Sequence, residues 1–375
     1  MCCWQEDPEA AVHNTRSNGY RLARRVQNKC RHNGYGYEAD IFDMVHLYKT
    51  NNFAIQYCPV WKAGSTFWKR AFMIKNLPEY KNVTNLYNLS FLANYDAEQG
   101  HMDNSGNFKR FMFVREPFQR LLSTFVDKVL APNPFYWKII GVPAINTSRS
   151  DPSEKSLECG HDLTFAEFLK HLSLVMSPGK HTINVGNKRT VSVFRDIHFE
   201  IFNILCRPCN VKYDFIGKME TFQDDASEVL KLMNLTHLEN SLETEAENLA
   251  AVDAIKDTVY QPFNKEMRAD IVHCMTIKEA LSRVWDKLQI RGLIGDRDLK
   301  LSEHAANNIT YEQFLVLALH ARKMSTRENR QMVKRTWYQK MYSTIDRSIL
   351  DKLREIYKDD FELFEYDSKP SQLFS

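Results

Sequence analysis

The chain twice runs from an apolar segment through a polar turn into an amphipathic helix, and this repetition constrains its fold more than any other feature. The clearer case begins at Phe111-Met112-Phe113-Val114, passes through Arg115-Glu116-Pro117, and continues with Phe118, Leu121, Leu122, Phe125, Val126 and Val129 at i, i+3, i+4, i+7, i+8 and i+11. That spacing lines one face of a helix with apolar side chains. Pro117 suits the first helical position, where its missing N–H has no intrahelical acceptor to lose. The other case begins with a strand-like run from Phe53 to Cys58, turns through Pro59 to Ser65, and predicts a helix from Thr66 to Lys75 with Trp68, Ala71 and Phe72 on one side. Strand followed by helix, twice, predicts an α/β fold with a parallel sheet flanked by helices.

Both turns have the chemistry of an anion cradle. N–H groups in the first turn of a helix lack intrahelical partners and point outward, so they bind anions. Gly64 permits close backbone approach, Ser65 and Thr66 add hydroxyls, and Lys62 adds a mobile positive charge. A Walker A loop has lysine directly after its second glycine. Here Lys62 precedes Gly64, which argues against a nucleoside triphosphate and against a kinase. In the second turn Arg115 and Arg120 present forked donors, and Ser123 lies two helical turns beyond Arg115. Two cradles in one domain suggest a ligand with two separate phosphate ends.

The rest of the chain bounds this reading. A length of 375 residues, 43% hydrophobic and 26% charged, suits a folded protein of one large domain or two smaller ones. Net charge is only +3, and nucleic acid is not an expected partner. Residues 1–48 read as a stem or leader, with a basic stretch holding Arg16, Arg21, Arg24, Arg25, Lys29 and Arg31 that suits either a polyanion or solvent. No run of 18 apolar residues is present. Eight cysteines, with Cys206 and Cys209 in a Cys-x-x-Cys, are too sparse for a disulfide scaffold and lack the second half of a zinc site, so no metal is expected. Sequons at Asn82, Asn88, Asn146, Asn234 and Asn308 favour a secretory route. Residues 131–160, rich in proline, read as a long loop. Capping boxes open helices at Thr164 and Thr310, and Ile277, Ala280, Leu281, Val284, Trp285 and Leu288 form a helical stripe in a region with no legible chemistry.

The motifs resemble a known family. Lys62-Ala63-Gly64-Ser65-Thr66-Phe67, with Trp61 before it, is similar to the 5′-phosphosulfate loop of sulfotransferases. The run Arg115-Glu116-Pro117-Phe118-Gln119-Arg120-Leu121-Leu122-Ser123 is similar to their 3′-phosphate site. Its wording, together with HFEIFNILCRPC from His198, YDFIGKMET from Tyr213 and YKDDFELFEY from Tyr357, resembles the Golgi carbohydrate sulfotransferases of the chondroitin 4-O and HNK-1 type. Two departures stand out: Trp61 replaces the usual proline, and Gly64-Ser65-Thr66 replaces the commoner Ala-Cys-Thr.

The resemblance implies a P-loop-like sulfotransferase fold, with a core over 49–235, a helical insertion over 236–336 and a C-terminal part over 337–375. It implies transfer of sulfate from 3′-phosphoadenosine 5′-phosphosulfate (PAPS), without metal, to a glycosaminoglycan or glycoprotein glycan, foremost O4 of N-acetylgalactosamine in chondroitin or dermatan. Lys62 is then the cation on the leaving phosphate. Ser65 and Thr66 hold the 5′-phosphate, Arg115 and Ser123 the 3′-phosphate, with Arg120 in support and Glu116 orienting an arginine or capping the helix. His198 is the candidate general base, with His101, His161 and His171 as alternatives and a core histidine as the plainer reading. Cys206 and Cys209 read as a structural pair or as separate disulfide partners, and Lys218 with Glu220 as an ion pair. Family members reside in the Golgi lumen on a membrane anchor that this sequence lacks. The competing reading is a non-catalytic glycan- or nucleotide-binding relative.

Overall fold

The computed structural model describes residues 18–33, 45–51, 54–93, 95–100, 107–176, 182–185, 189–192 and 195–374. The strands are β1 (Val45–Lys49), β2 (Ile55–Cys58), β3 (Glu98–Gly100), β4 (Lys109–Val114), β5 (Thr182–Val185), β6 (Arg189–Ser192) and β7 (Phe215–Lys218). One five-stranded sheet has the order β3-β1-β2-β4-β7, and β5 pairs with β6 apart from it. The expected parallel sheet is its centre: Tyr57 of β2 lies opposite Phe111 of β4, which lies opposite Phe215 of β7. Antiparallel β1 and β3 extend one side. The strand expected over Phe53 to Cys58 is β2, which begins at Ile55, and Phe53 lies outside the described residues.

The longer helices are α1 (Asn18–Asn33), α2 (Ser65–Asn76), α3 (Pro117–Phe125), α4 (Phe165–Val175), α5 (Phe222–Leu232), α6 (Thr244–Tyr260), α7 (Ile277–Ile290), α8 (Tyr311–Lys323), α9 (Arg327–Tyr342) and α10 (Arg347–Ile356). Strand β2 feeds α2 and β4 feeds α3. Because β2 and β4 are adjacent and parallel, their turns emerge side by side at one end of the sheet, where open α/β sheets bind ligands. Rings fill the space between sheet and α2. Trp68 is fully buried, with its centroid 4.9 Å from Phe111 and 5.0 Å from Phe113. Truncating it to alanine costs about 3–5 kcal/mol, a loss transmitted directly to the start of α2.

Three expectations change. The stem expected over 1–48 contains structured elements: β1 joins the sheet, and α1 buries Leu22, Ala23 and Val26 in the same core. A Cβ on Gly19 would stand 2.3 Å from the Phe215 ring, so α1 lies directly against β7. The basic side chains of α1 meet acids near the other end of the chain, Arg21 and Arg25 at Glu365 and Lys29 at Glu362. Arg16 lies outside the described residues.

The loop expected over 131–160 is largely helical, over Pro134–Tyr136, Trp137–Gly141, Val142–Ser148 and Glu154–Cys159. Pro134 sits at the first position of its segment and Pro143 at the second, within the first turn where proline is tolerated.

The cysteines also do more than their number suggested. Cys30–Cys209, Cys58–Cys206 and Cys159–Cys274 are disulfides, so Cys206 and Cys209 are separate partners. They close sequence separations of 115 to 179 residues, each worth about 4–5 kcal/mol in the chain-entropy limit.

The capping boxes at Thr164 and Thr310 are both formed. The Ile277 to Leu288 stripe is buried throughout; all of it but Ala280, which packs with Trp137, lies in a core shared by α6, α7 and α8. Toward the C-terminus Phe361 and Phe364 are buried and Tyr366 is partly so.

Candidate functional site

Gly64 ends the first turn in the left-handed region, at φ 79°, and caps α2 without a side-chain hydrogen bond. The amides of the α2 first turn are therefore not met by a capping side chain. A Cβ on Gly64 would lie 2.9 Å from the Phe222 ring, a second reason for glycine. Lys62 is also left-handed, at φ 70°, a strained conformation for a side-chain-bearing residue. Such strain concentrates at functional sites.

The second turn docks onto the first. Arg115 donates from Nη1 to the carbonyl oxygen of Lys62 at 3.2 Å. Glu116 caps α3 by accepting from the amides of Phe118 and Gln119. Burial raises the Glu116 carboxyl to about 7, against those bonds. Beyond Phe125 the helix widens into a π turn over Val126–Leu130. Gln119, Leu122, Ser123, Val126 and Asp127 all line the cleft from this face.

Asp127 meets Lys62 at 2.9 Å, Lys287 at 2.8 Å and Lys128 at 3.5 Å. Burial alone would raise the Asp127 carboxyl, but the three ammonium groups hold it well below the usual range. Lys62 shares that one carboxylate with two rivals. Desolvation therefore wins, and its ammonium falls to about 8.

His198 stands across the cleft. Its Nδ1 lies 2.5 Å from Oδ1 of Asp196, which also accepts the His198 amide at 2.9 Å. An ionised carboxylate at Nδ1 keeps the proton there and leaves Nε2 as acceptor. Burial lowers His198 to about 4 against the pull of Asp196, so the ring is neutral near pH 7. Trp61 and Tyr136 flank it edge-on, with centroids 6.2 and 5.4 Å away.

Trp61, Lys62, Arg115, Asp127, Lys128 and His198 line one cleft of about 780 Å³. The opposite wall comes from the helical region: Arg291 follows α7, and Gln331, Lys334, Arg335 and Tyr338 lie on α9.

The model of the sulfotransferase family matches residues 46–287 and 296–367. The chain belongs to the sulfotransferase family. It is similar to human carbohydrate sulfotransferase 8, 33% identical over 186 residues covering 48% of this chain and 40% of that protein. The mouse protein of that name is 29% identical over 231 residues, 60% of this chain and 52% of its own length. Zebrafish (Danio rerio) carbohydrate sulfotransferase 11 is 31% identical over 201 residues, 51% and 53% of the two chains. The chain spans about half the length of the curated relatives it matches. No solved structure matches it.

Of the family-motif residues, Trp61, Lys62, Gly64, Ser65, Thr66, Arg115, Gln119, Leu122, Ser123 and His198 line the cleft. Ala63, Phe67, Phe118 and Leu121 are core residues, and Pro117 is buried at the first position of α3. Arg120 is 1% exposed. It donates to the carbonyls of Trp61, Glu200 and Ile197 at 3.1, 2.6 and 3.0 Å, so it braces the two loops beneath the cleft. Lys218 and Glu220 turn to different partners: Lys218 to the Glu365 carbonyl, Glu220 to the Glu116 amide and the Tyr366 hydroxyl.

His171 is buried against Thr147, and His161 packs on Trp137. Neither lines the cleft, and His101 lies outside the described residues. Sequence reasoning missed Asp127, Asp196, Arg291, Lys334 and Arg335. The positions 331, 334, 335 and 338 follow i, i+3, i+4 and i+7, a regular stripe, but a basic stripe reads equally as a solvated face.

Proposed function

We propose that this cleft transfers a sulfuryl group from 3′-phosphoadenosine 5′-phosphosulfate to a glycan hydroxyl, foremost O4 of N-acetylgalactosamine in chondroitin or dermatan. One observation carries the reading: a lysine at an uncapped helix start and a carboxylate-held histidine face the same cleft, which Arg115 and Ser123 also line. The names of the relatives, all carbohydrate sulfotransferases, support a sugar acceptor.

The residues present fit the donor. A left-handed turn with free hydroxyls suits a phosphate at one end, and the Arg115–Ser123 face suits the second phosphate at the other. The donor supplies a sulfuryl group on a good leaving phosphate. Lys62 neutralises charge developing on that phosphate. Ser65 and Thr66 orient it, and Arg115 and Ser123 hold the distal phosphate. Arg120 acts from beneath, by fixing the Trp61 carbonyl. His198 takes the acceptor proton at Nε2 while Asp196 steadies the imidazolium that forms.

In this reading residues 49–235 carry donor binding, 337–375 complete the core, and 236–336 supply helices that close the cleft and bear on acceptor choice. A Golgi lumenal setting is supported by three disulfides and by five sequon asparagines that are all exposed. Among the described residues no helix is long and apolar enough to cross a membrane.

The test incubates the protein with labelled donor and a panel of desulfated glycans, then maps the sulfated position. Label at O4 of N-acetylgalactosamine is expected. Transfer to another sugar or hydroxyl corrects the acceptor alone. Turnover that survives both Lys62→Ala and Arg115→Ala sinks the assignment of the two turns.

A further inference from the structure

We propose that Lys128 is a second cation on the sulfuryl group in transit, and that Asp127 is the positioning residue that sets Lys128 beside Lys62. This rests on the sulfuryl-transfer reading and deepens it.

Three lysines converge on one carboxylate, and they are not equivalent. Lys287 is wholly buried, its ammonium on Oδ1 of Asp127 and 3.3 Å from Oε1 of Gln261. It serves to hold Asp127 in place. Lys62 and Lys128 share Oδ2, and both line the cleft with side chains 19% and 17% exposed. Three ammonium charges against one carboxylate leave a positive excess. A cleft with such an excess is matched by a ligand that brings negative charge.

The position of Lys128 says which part of the ligand it meets. On one side its ammonium is 3.5 Å from the carboxylate that holds Lys62. On the other it lies 4.4 Å from the centre of the Tyr136 ring, whose edge meets His198. Contacts run from Lys62 to His198 through Asp127, Lys128 and Tyr136 in turn. The leaving phosphate belongs at Lys62 and the acceptor hydroxyl at His198, so Lys128 stands between the bond that breaks and the bond that forms.

In the step itself the acceptor oxygen forms a bond to sulfur. The bond from sulfur to the 5′-phosphate oxygen breaks with its electron pair on the phosphate, and the hydroxyl proton goes to Nε2 of His198. The sulfuryl oxygens stay negative throughout, and Lys128 is the ammonium placed to meet them. Without Asp127, Lys62 and Lys128 are like charges side by side and repel.

The test separates transfer from binding. Single-turnover transfer from labelled donor is measured beside the affinity for 3′,5′-adenosine bisphosphate, which lacks the sulfuryl group. Lys128→Met is expected to slow transfer about 100-fold and to leave bisphosphate affinity within about twofold. Lys128→Arg restores most of the rate, and Lys62→Ala impairs both readouts. Asp127→Asn removes the carboxylate that supports the Lys62 proton against burial, Lys128 and Arg291, so the alkaline limb of the rate profile moves to lower pH.

Unchanged transfer in Lys128→Met overturns the proposal. So does an equal loss of transfer and bisphosphate binding, which would make Lys128 an ordinary phosphate ligand. Thermal melting checks the fold, and Lys128→Gln replaces the Met variant if that one melts early. If the unaltered chain neither binds the bisphosphate nor transfers, the sulfuryl-transfer reading itself fails and this role falls with it.

Discussion

Arg115 reaches back across 53 residues to donate to the carbonyl oxygen of Lys62 at 3.2 Å. The turn after β4 therefore holds the turn after β2, and the two cradles are one device. The bond also helps hold Lys62 in its left-handed conformation. Truncating Arg115 removes a cation from the cleft and a restraint from Lys62 together. Arg115→Ala is expected to weaken 3′,5′-adenosine bisphosphate binding on the order of 10- to 100-fold, the worth of a charge-assisted hydrogen bond, and to lower turnover as well. Arg115→Lys keeps the charge without the fork and should recover only part of the affinity. Calorimetric titration of the two variants gives the comparison.

The rate against pH should be a broad bell. In the proposed role Lys62 works as an ammonium, and it is held at about 8, so kcat/KM is expected to fall as pH rises through that value and the proton is lost. In the same proposal His198 works as a neutral base, and it is held at about 4, so kcat/KM is expected to fall as pH drops through that value and the ring takes up a proton. Between these limits the profile is flat. Lys62→Arg leaves a cation that does not titrate in the range, so the alkaline limb should vanish even if the rate is lower. An alkaline limb that persists unchanged in that variant assigns it to another group.

Much of this arrangement was legible in the residues, for reasons that differ from place to place. The β4–α3 unit was plain because Phe118, Leu121 and Phe125 are spaced by helical geometry and local periodicity suffices to find them. Its extension past Phe125 was not, because a π turn over Val126–Leu130 alters the spacing there. Asp127 looked like one more polar residue on a helix, since its meaning comes from Lys62 and Lys287, 65 and 160 residues away. Arg120 misled by its wording: a family motif fixes where an arginine occurs, not which way a buried guanidinium points. The leader went unread because the short stripe Leu22, Ala23, Val26 is faint beside so many charges.

Asp196 should matter through His198 alone. Its carboxylate fixes which ring nitrogen carries the proton and supports the charge the ring acquires. Asp196→Asn keeps the shape and loses the charge. Turnover is expected to fall by 10- to 100-fold, the usual cost of losing a partner that orients a functional histidine, with bisphosphate affinity unchanged because the Asp196 carboxylate acts through the His198 ring. Steady-state kinetics beside a binding titration reads both quantities, and a parallel loss of affinity would mean a broader structural role.

Arg120 carries the last test, because two roles for it predict different patterns. Its buried guanidinium holds three carbonyls, Trp61 on the donor turn and Ile197 and Glu200 on either side of His198, and it stacks 4.7 Å from the centre of the Phe202 ring. Removing it leaves these acceptors unmet in a dry site, which costs about 1–3 kcal/mol for each group so stranded. Arg120→Met is expected to lower the melting temperature by several degrees and to weaken transfer and bisphosphate binding together, because both loops lose their brace. Arg120→Lys should rescue poorly, since one ammonium cannot span three carbonyls set in a fork. A direct phosphate ligand would behave otherwise: stability would be kept, affinity lost, and lysine would restore much of it. Melting curves beside bisphosphate titration of the two variants decide between a brace and a ligand.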